Sequence, residues 1–195
     1  MLEAPPGFAT LNAFLQALAV ELEGLHAFQA HPLQQSVRGG TQLHLQRPEL
    51  GRPLIAALFE RIVAAVHKHV THLGPGRDPL RARNTMRFGL SGAWSVRLRS
   101  GGHHADHVHP HGWISSACYI KVPPTVGRGE GEQDRAGWLR LGRPGIRTAP
   151  PLEAAHFVRP EPGRLVLFPA YMWHGVEPFE SDQPRLSVAF DVVPA

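Results

Sequence analysis

Cysteine is nearly absent from this 195-residue chain: Cys118 stands alone, so an internal disulfide is excluded, and with it the disulfide-built secreted scaffold. Lysine is almost as scarce, limited to Lys68 and Lys121 against a large excess of arginine, which with abundant Ala, Gly and Pro reads as a coding bias. No apolar run approaches the roughly 18 residues of a membrane span, and the opening residues lack the charged-then-apolar order of a secretory signal. A soluble, cytoplasmic protein is therefore expected, with Cys118 as a small buried apolar residue. The net charge of +4 and pI near 10.0 leave a basic nucleic-acid-binding module as one alternative, although acidic residues are interspersed throughout and no recognised nucleic-acid motif is present.

Histidine, by contrast, is concentrated. Five of the thirteen fall between His103 and His111, in the run Gly-Gly-His-His-Ala-Asp-His-Val-His-Pro-His-Gly-Trp. Imidazole is the commonest transition-metal ligand, and residues two apart on an extended strand leave the same face. His107 and His109 meet that condition. Trp173-His174-Gly175 offers a third imidazole far downstream, followed by Arg185-Leu186-Ser187.

From Trp94 onward the pattern is of short strands. Trp94, Val96 and Leu98 alternate with Ser95, Arg97 and Arg99, and strand-like runs follow at 113–122, 138–141, 155–158, 164–168 and 186–193, punctuated by Pro144-Gly145 and Pro162-Gly163. Eight or so such strands suggest a jelly roll or barrel, in which distant strands converge on one cavity. The N-terminal part reads as helical. Leu11, Phe14, Leu15, Leu18, Leu22 and Leu25 recur at helical spacing behind a capping Thr10. A second helix is expected from Pro53 to Leu73, with Ile55, Leu58, Phe59, Ile62, Val63, Val66 and Val70 as its stripe and Gly74 at its end. The expected organisation is a single domain over 1–195, with a helical region at 1–85 packed outside an all-strand core at 86–195.

Residues 92–194 resemble the 2-oxoglutarate/Fe(II) oxygenases with a prolyl-hydroxylase-like double-stranded β-helix, in the branch carrying H-x-H-P-x-G-W-x-S-x-x-Y-x-x-x-P. The matching stretch is His107 to Pro123, joined by Pro160 to Pro169, Trp173-His174-Gly175 and Arg185 to Asp191. The segment 31–42 resembles the same branch. The resemblance implies an α+β chain with a jelly-roll or cupin-like core, acting as a dioxygenase that consumes O2 and releases succinate and CO2. His107, His109 and His174 would hold Fe(II). Arg185 and Ser187 would grip the distal carboxylate of the co-substrate 2-oxoglutarate, a task that suits a planar, permanently charged guanidinium. Tyr119 and Ser115 match positions that hydrogen-bond the same molecule. The substrate, a small molecule or a peptidyl group, is not specified.

One position departs from the superfamily pattern. His109 falls where a carboxylate is usual, which leaves the iron one charge more positive and also suits a cupin-like three-histidine metalloenzyme that does not use 2-oxoglutarate. His104-Ala105-Asp106 is a literal H-x-D one register away, and only a bulge could bring 104 or 106 to the face of 107 and 109. The pair beside Pro110-His111-Gly112-Trp113 is favoured. Trp113, Phe168 and Trp173 are candidate cavity walls, more readily ordinary core aromatics. His67, His69 and His72 read as a solvated helix face, the Gly- and Pro-rich segment 123–151 as a lid or a surface loop, and 38–42 as a turn or an approach to the site.

Overall fold

The computed structural model describes residues 1–27, 35–126 and 135–195. Helix α1 (Leu11–Leu25) and strand β1 (Val37–His44) come first, then the short α2 (Arg47–Leu50) and the long α3 (Pro53–Leu73). Seven strands follow: β2 (Phe88–His107), β3 (Ile114–Lys121), β4 (Leu139–Leu141), β5 (His156–Val158), β6 (Leu165–Pro169), β7 (His174–Val176) and β8 (Arg185–Pro194). They pair antiparallel in the order β5-β4-β7-β2-β8-β3-β6, with β1 also on β2. This curled sheet is the core of a double-stranded β-helix, and the helices pack on its outside.

Helices α1 and α3 obey their sequence signals. Thr10 Oγ1 accepts from Ala13 N at 3.1 Å, and Pro53 opens α3 where its missing N–H costs nothing. Gly74 ends α3 at φ +61, a conformation that disfavours side chains, with its N–H on Val70 O. Ile55, Leu58, Ile62, Val66 and Val70 form the buried stripe of α3, each contributing roughly 1.5–3 kcal/mol. Val63, expected in that stripe, is exposed.

Strict period-two alternation on β8 divides the molecule into two environments. Leu186, Val188, Phe190 and Val192 are fully buried against the helices, joined there by Ile114, Cys118 and Ile120 of β3. Arg185, Ser187, Ala189 and Asp191 point the other way, into a cavity of about 380 Å³. Burial raises the Cys118 thiol to about 12, so it behaves as an inert small hydrophobe.

Strand β1 departs from expectation. Residues 38–42, read as a turn or an approach to the site, form a strand paired along β2 from Val37↔His104 to His44↔Trp94. The preceding residues 31–34 of the matching segment lie outside the described residues, as do Arg128, Glu130, Glu132 and Asp134 of the expected 123–151 loop. Strand β1 also anchors the end of α1. The ring of His26 hydrogen-bonds Thr41 Oγ1 at 2.7 Å and Ser95 Oγ at 2.9 Å.

Burial, then the charge of Arg97, lowers the His26 pKa from 6.5 to about 4. Between those values the unfolded chain binds a proton that the folded chain excludes, so this stabilisation is complete above pH 6.5 and lost as pH falls towards about 4. Allowing for the ring's partial exposure, the loss is on the order of 2 kcal/mol. Urea midpoints measured across that window should fall less steeply in His26→Gln than in the wild type.

Candidate metal and co-substrate site

Antiparallel pairing of β2 with β7 sets His107 directly opposite His174. His109 lies two residues beyond the end of β2 and turns back towards them. The ring centroids of His107 and His174 are 4.1 Å apart, and His109 is 5.1 Å from each. One ring nitrogen of each lies within 4.8 Å of the other two, and these three are the group of metal-ligating side chains found among the described residues. His67, His69 and His72 of α3 form no such group.

The tautomers are set from behind. His107 Nδ1–H donates to Ala105 O at 2.8 Å, His174 Nδ1–H to Met172 O at 3.0 Å, and His109 Nδ1–H to the Asp191 carboxylate at 2.6 and 2.7 Å. Each Nε2 is thereby left with its lone pair, the form a metal requires. Burial and the nearby His107 depress the His174 pKa to about 3, and burial lowers that of His107 too. Both rings are therefore neutral and ready to ligate near pH 7.

A one-residue bulge in β2 between His104 and His107 decides what becomes of the rival pair. It turns His104 onto the cavity side, its ring stacked on His107 at 6.0 Å and its Nδ1 sharing a hydrogen bond with Ser36 Oγ at 3.0 Å. Asp106 points away from the cavity. Arg140 holds it through Nε at 2.7 Å and Nη2 at 3.2 Å, and Arg143 Nε adds a contact of 2.8 Å. This pair also explains the glycine after His174: a Cβ on Gly175 would sit 2.4 Å from Asp106 Oδ1 and 2.8 Å from Arg140 Nη2.

Arg185 is 2 % exposed and lines the cavity with Ser187. Its Nη1 donates to Gly137 O at 3.0 Å and its guanidinium lies 4.9 Å over the Tyr119 ring. Arg185 Nε and the Tyr119 hydroxyl are buried with no hydrogen-bond partner among the described residues, and no carboxylate there pairs with the guanidinium. A buried cation and two orphaned polar atoms are costly unless an anion completes them. The carboxylate of 2-oxoglutarate fits that need.

Ser115 is placed differently. It shares the inward parity of Tyr119, but its Oγ donates to Asp191 Oδ1 at 2.7 Å, and neither Ser115 nor Tyr119 belongs to the cavity wall. Phe168 does line the cavity. Trp113 lies in the helix-side core with Nε1 on Leu80 O at 2.8 Å, and Trp173 lies against Gly145. Sequence reasoning missed Asp191 and Trp94 as cavity residues, and it placed His104 off the cavity face unless a bulge intervened, as one does.

Fold and site together define a double-stranded β-helix oxygenase scaffold. Residues 92–191, just over half of the chain, match the family described as "Putative 2OG-Fe(II) oxygenase". The chain belongs to that family: it is an oxidoreductase whose cofactors are Fe(II) and 2-oxoglutarate. The fold is similar to that of a Pseudomonas putida prolyl-4-hydroxylase (18% identity, TM-score 0.59, covering 94% of this chain and 88% of that one). It is also similar to a Trichoplax adhaerens prolyl hydroxylase solved with a hypoxia inducible factor peptide (15%, 0.61, 99% and 82%). A third likeness is to HygX from Streptomyces hygroscopicus with nickel and 2-oxoglutarate bound (13%, 0.56, 98% and 82%). No curated protein sequence matches. No described helix is long and apolar enough to cross a membrane.

Proposed function

We propose that the chain is a hydroxylase in which His107, His109 and His174 hold Fe(II) and Arg185, with Ser187 beside it on the cavity wall and the Tyr119 ring packed under its guanidinium, holds the distal carboxylate of 2-oxoglutarate. When bound, the metal and co-substrate couple loss of CO2 from the oxo acid, and formation of succinate, to oxidation of a substrate C–H bond by O2. The chain's own residues do the rest. Carbonyls and a carboxylate aim the three imidazoles, Arg185 fixes the co-substrate's far end, and Trp94, Val96 and Phe168 supply apolar wall.

The observation that carries this reading is the orphaned Arg185 Nε beside the imidazole triad. It favours a 2-oxoglutarate enzyme over a cupin-like one, in which the Arg185 Nε would stay buried without an acceptor among the described residues. The basic surface gives little support to a nucleic-acid module, because Arg52, Arg81, Arg143 and Arg164 are each paired with a carboxylate.

A cavity of about 380 Å³ must accommodate co-substrate and target together. That space suits a small molecule or one peptidyl side chain, at the low end of ligand pockets. We further place the chain in one domain, its helices sharing a core with the sheet, and in the cytoplasm, where its lone thiol stays reduced. Calorimetric titration of 2-oxoglutarate into the anaerobic Fe(II) protein should show binding that vanishes without the metal. Absence of binding to the iron form would overturn the assignment.

A further inference from the structure

Position 109 presents an imidazole where a facial triad carries a carboxylate, yet a carboxylate stands directly behind it. Both oxygens of Asp191 lie within 2.7 Å of His109 Nδ1, and the contact is largely buried, with side-chain exposures of 23% and 11%. His107 and His174 are backed instead by neutral backbone carbonyls. Among the three imidazoles, only His109 has an anionic partner.

We infer that Asp191 is a positioning residue that returns to the metal, through His109, the negative charge that a ligating aspartate would have supplied directly. This rests on the ligand set proposed above. An N–H donating to a carboxylate is a charge-assisted hydrogen bond, which fixes the tautomer and makes the opposite nitrogen a stronger donor. Asp191 is itself held. Ser115 faces it across the β3–β8 ladder and donates to Oδ1 at 2.7 Å, while His109 lies against both oxygens, with Oδ2 the nearer at 2.6 Å. Strand β8 therefore carries the cation for the co-substrate at one end of its inward face and the anion for the metal at the other.

The test uses Co(II) alone, added to the full-length apoprotein and followed by its d–d absorption. Asp191→Asn keeps an oxygen acceptor and the side-chain volume but removes the charge. It should weaken Co(II) binding about tenfold or more, within the roughly 10–100-fold range for outer-shell partners, and shift the d–d bands. Ser115→Ala, which leaves the charge but loosens it, should weaken binding several-fold less, and it serves as the second variant if Asp191→Asn does not fold. A circular-dichroism melt of each apoprotein near that of the wild type separates this from general loosening. Wild-type affinity in Asp191→Asn overturns the inference while leaving the three-histidine site standing, as does wild-type affinity in Ser115→Ala. A wild-type protein that binds no Co(II) overturns both.

Discussion

His174→Ala is expected to abolish Fe(II) binding while leaving the chain folded. His174 is the one member of the triad delivered by β7, and its β7 neighbours on the cavity wall, Gly175 and Val176, offer no ligand side chain. Loss of a direct ligand should cost more than the roughly 100-fold upper bound for outer-shell residues, and succinate formation should fall to background. The fold should tolerate the change because His174 stands on the cavity wall, where the lost ring enlarges a cavity that is already there. Equilibrium dialysis with iron, beside thermal melts of the metal-free proteins, checks both halves. Retention of iron within a few-fold of wild type would mean that the third ligand lies elsewhere.

Local signals in the sequence reach α1 and α3 almost to the residue, because Thr10, Pro53 and Gly74 act on their immediate neighbours, whereas the four-residue α2 was not read. The central strands were legible for a similar reason: alternation on β8 and β3 reports which face is buried. Strand β1 and the three-residue β7 were not. Gly39 and Gly40 read as a turn, and they form a strand only because the long β2 offers them a partner. Such pairing is a tertiary effect that no window of sequence contains.

The site divides along the same line. His107, His109, His174 and Arg185 carry the chemistry in their own side chains, and the structure brings the three imidazoles together. The separation of Asp106 from them follows from strand alternation, whereas the turn of His104 to the cavity depends on a bulge set by pairing with β7. Asp191 was within reach and unread. The step of two that joins Arg185 to Ser187 continues through Ala189 to Asp191, so strand parity alone puts that carboxylate on the cavity face.

Arg185→Ala should separate co-substrate binding from metal binding. A guanidinium offers a fork of donors to a carboxylate, and two charge-assisted hydrogen bonds at about 1.5–3 kcal/mol each put the loss at roughly 10²–10⁴-fold in affinity for 2-oxoglutarate. Arg185→Lys should recover only part of it, because an ammonium on a shorter stem cannot present Nε and Nη together. Co(II) affinity should stay near wild type in both variants, since Arg185 contacts Gly137 and Tyr119 and not the imidazoles. His174→Ala gives the opposite pattern, losing the metal and with it the co-substrate. Calorimetry with 2-oxoglutarate on the anaerobic metal-loaded variants measures the split. Affinity within threefold of wild type in Arg185→Ala would show that the buried guanidinium is structural, and would return the chain to the three-histidine cupin reading.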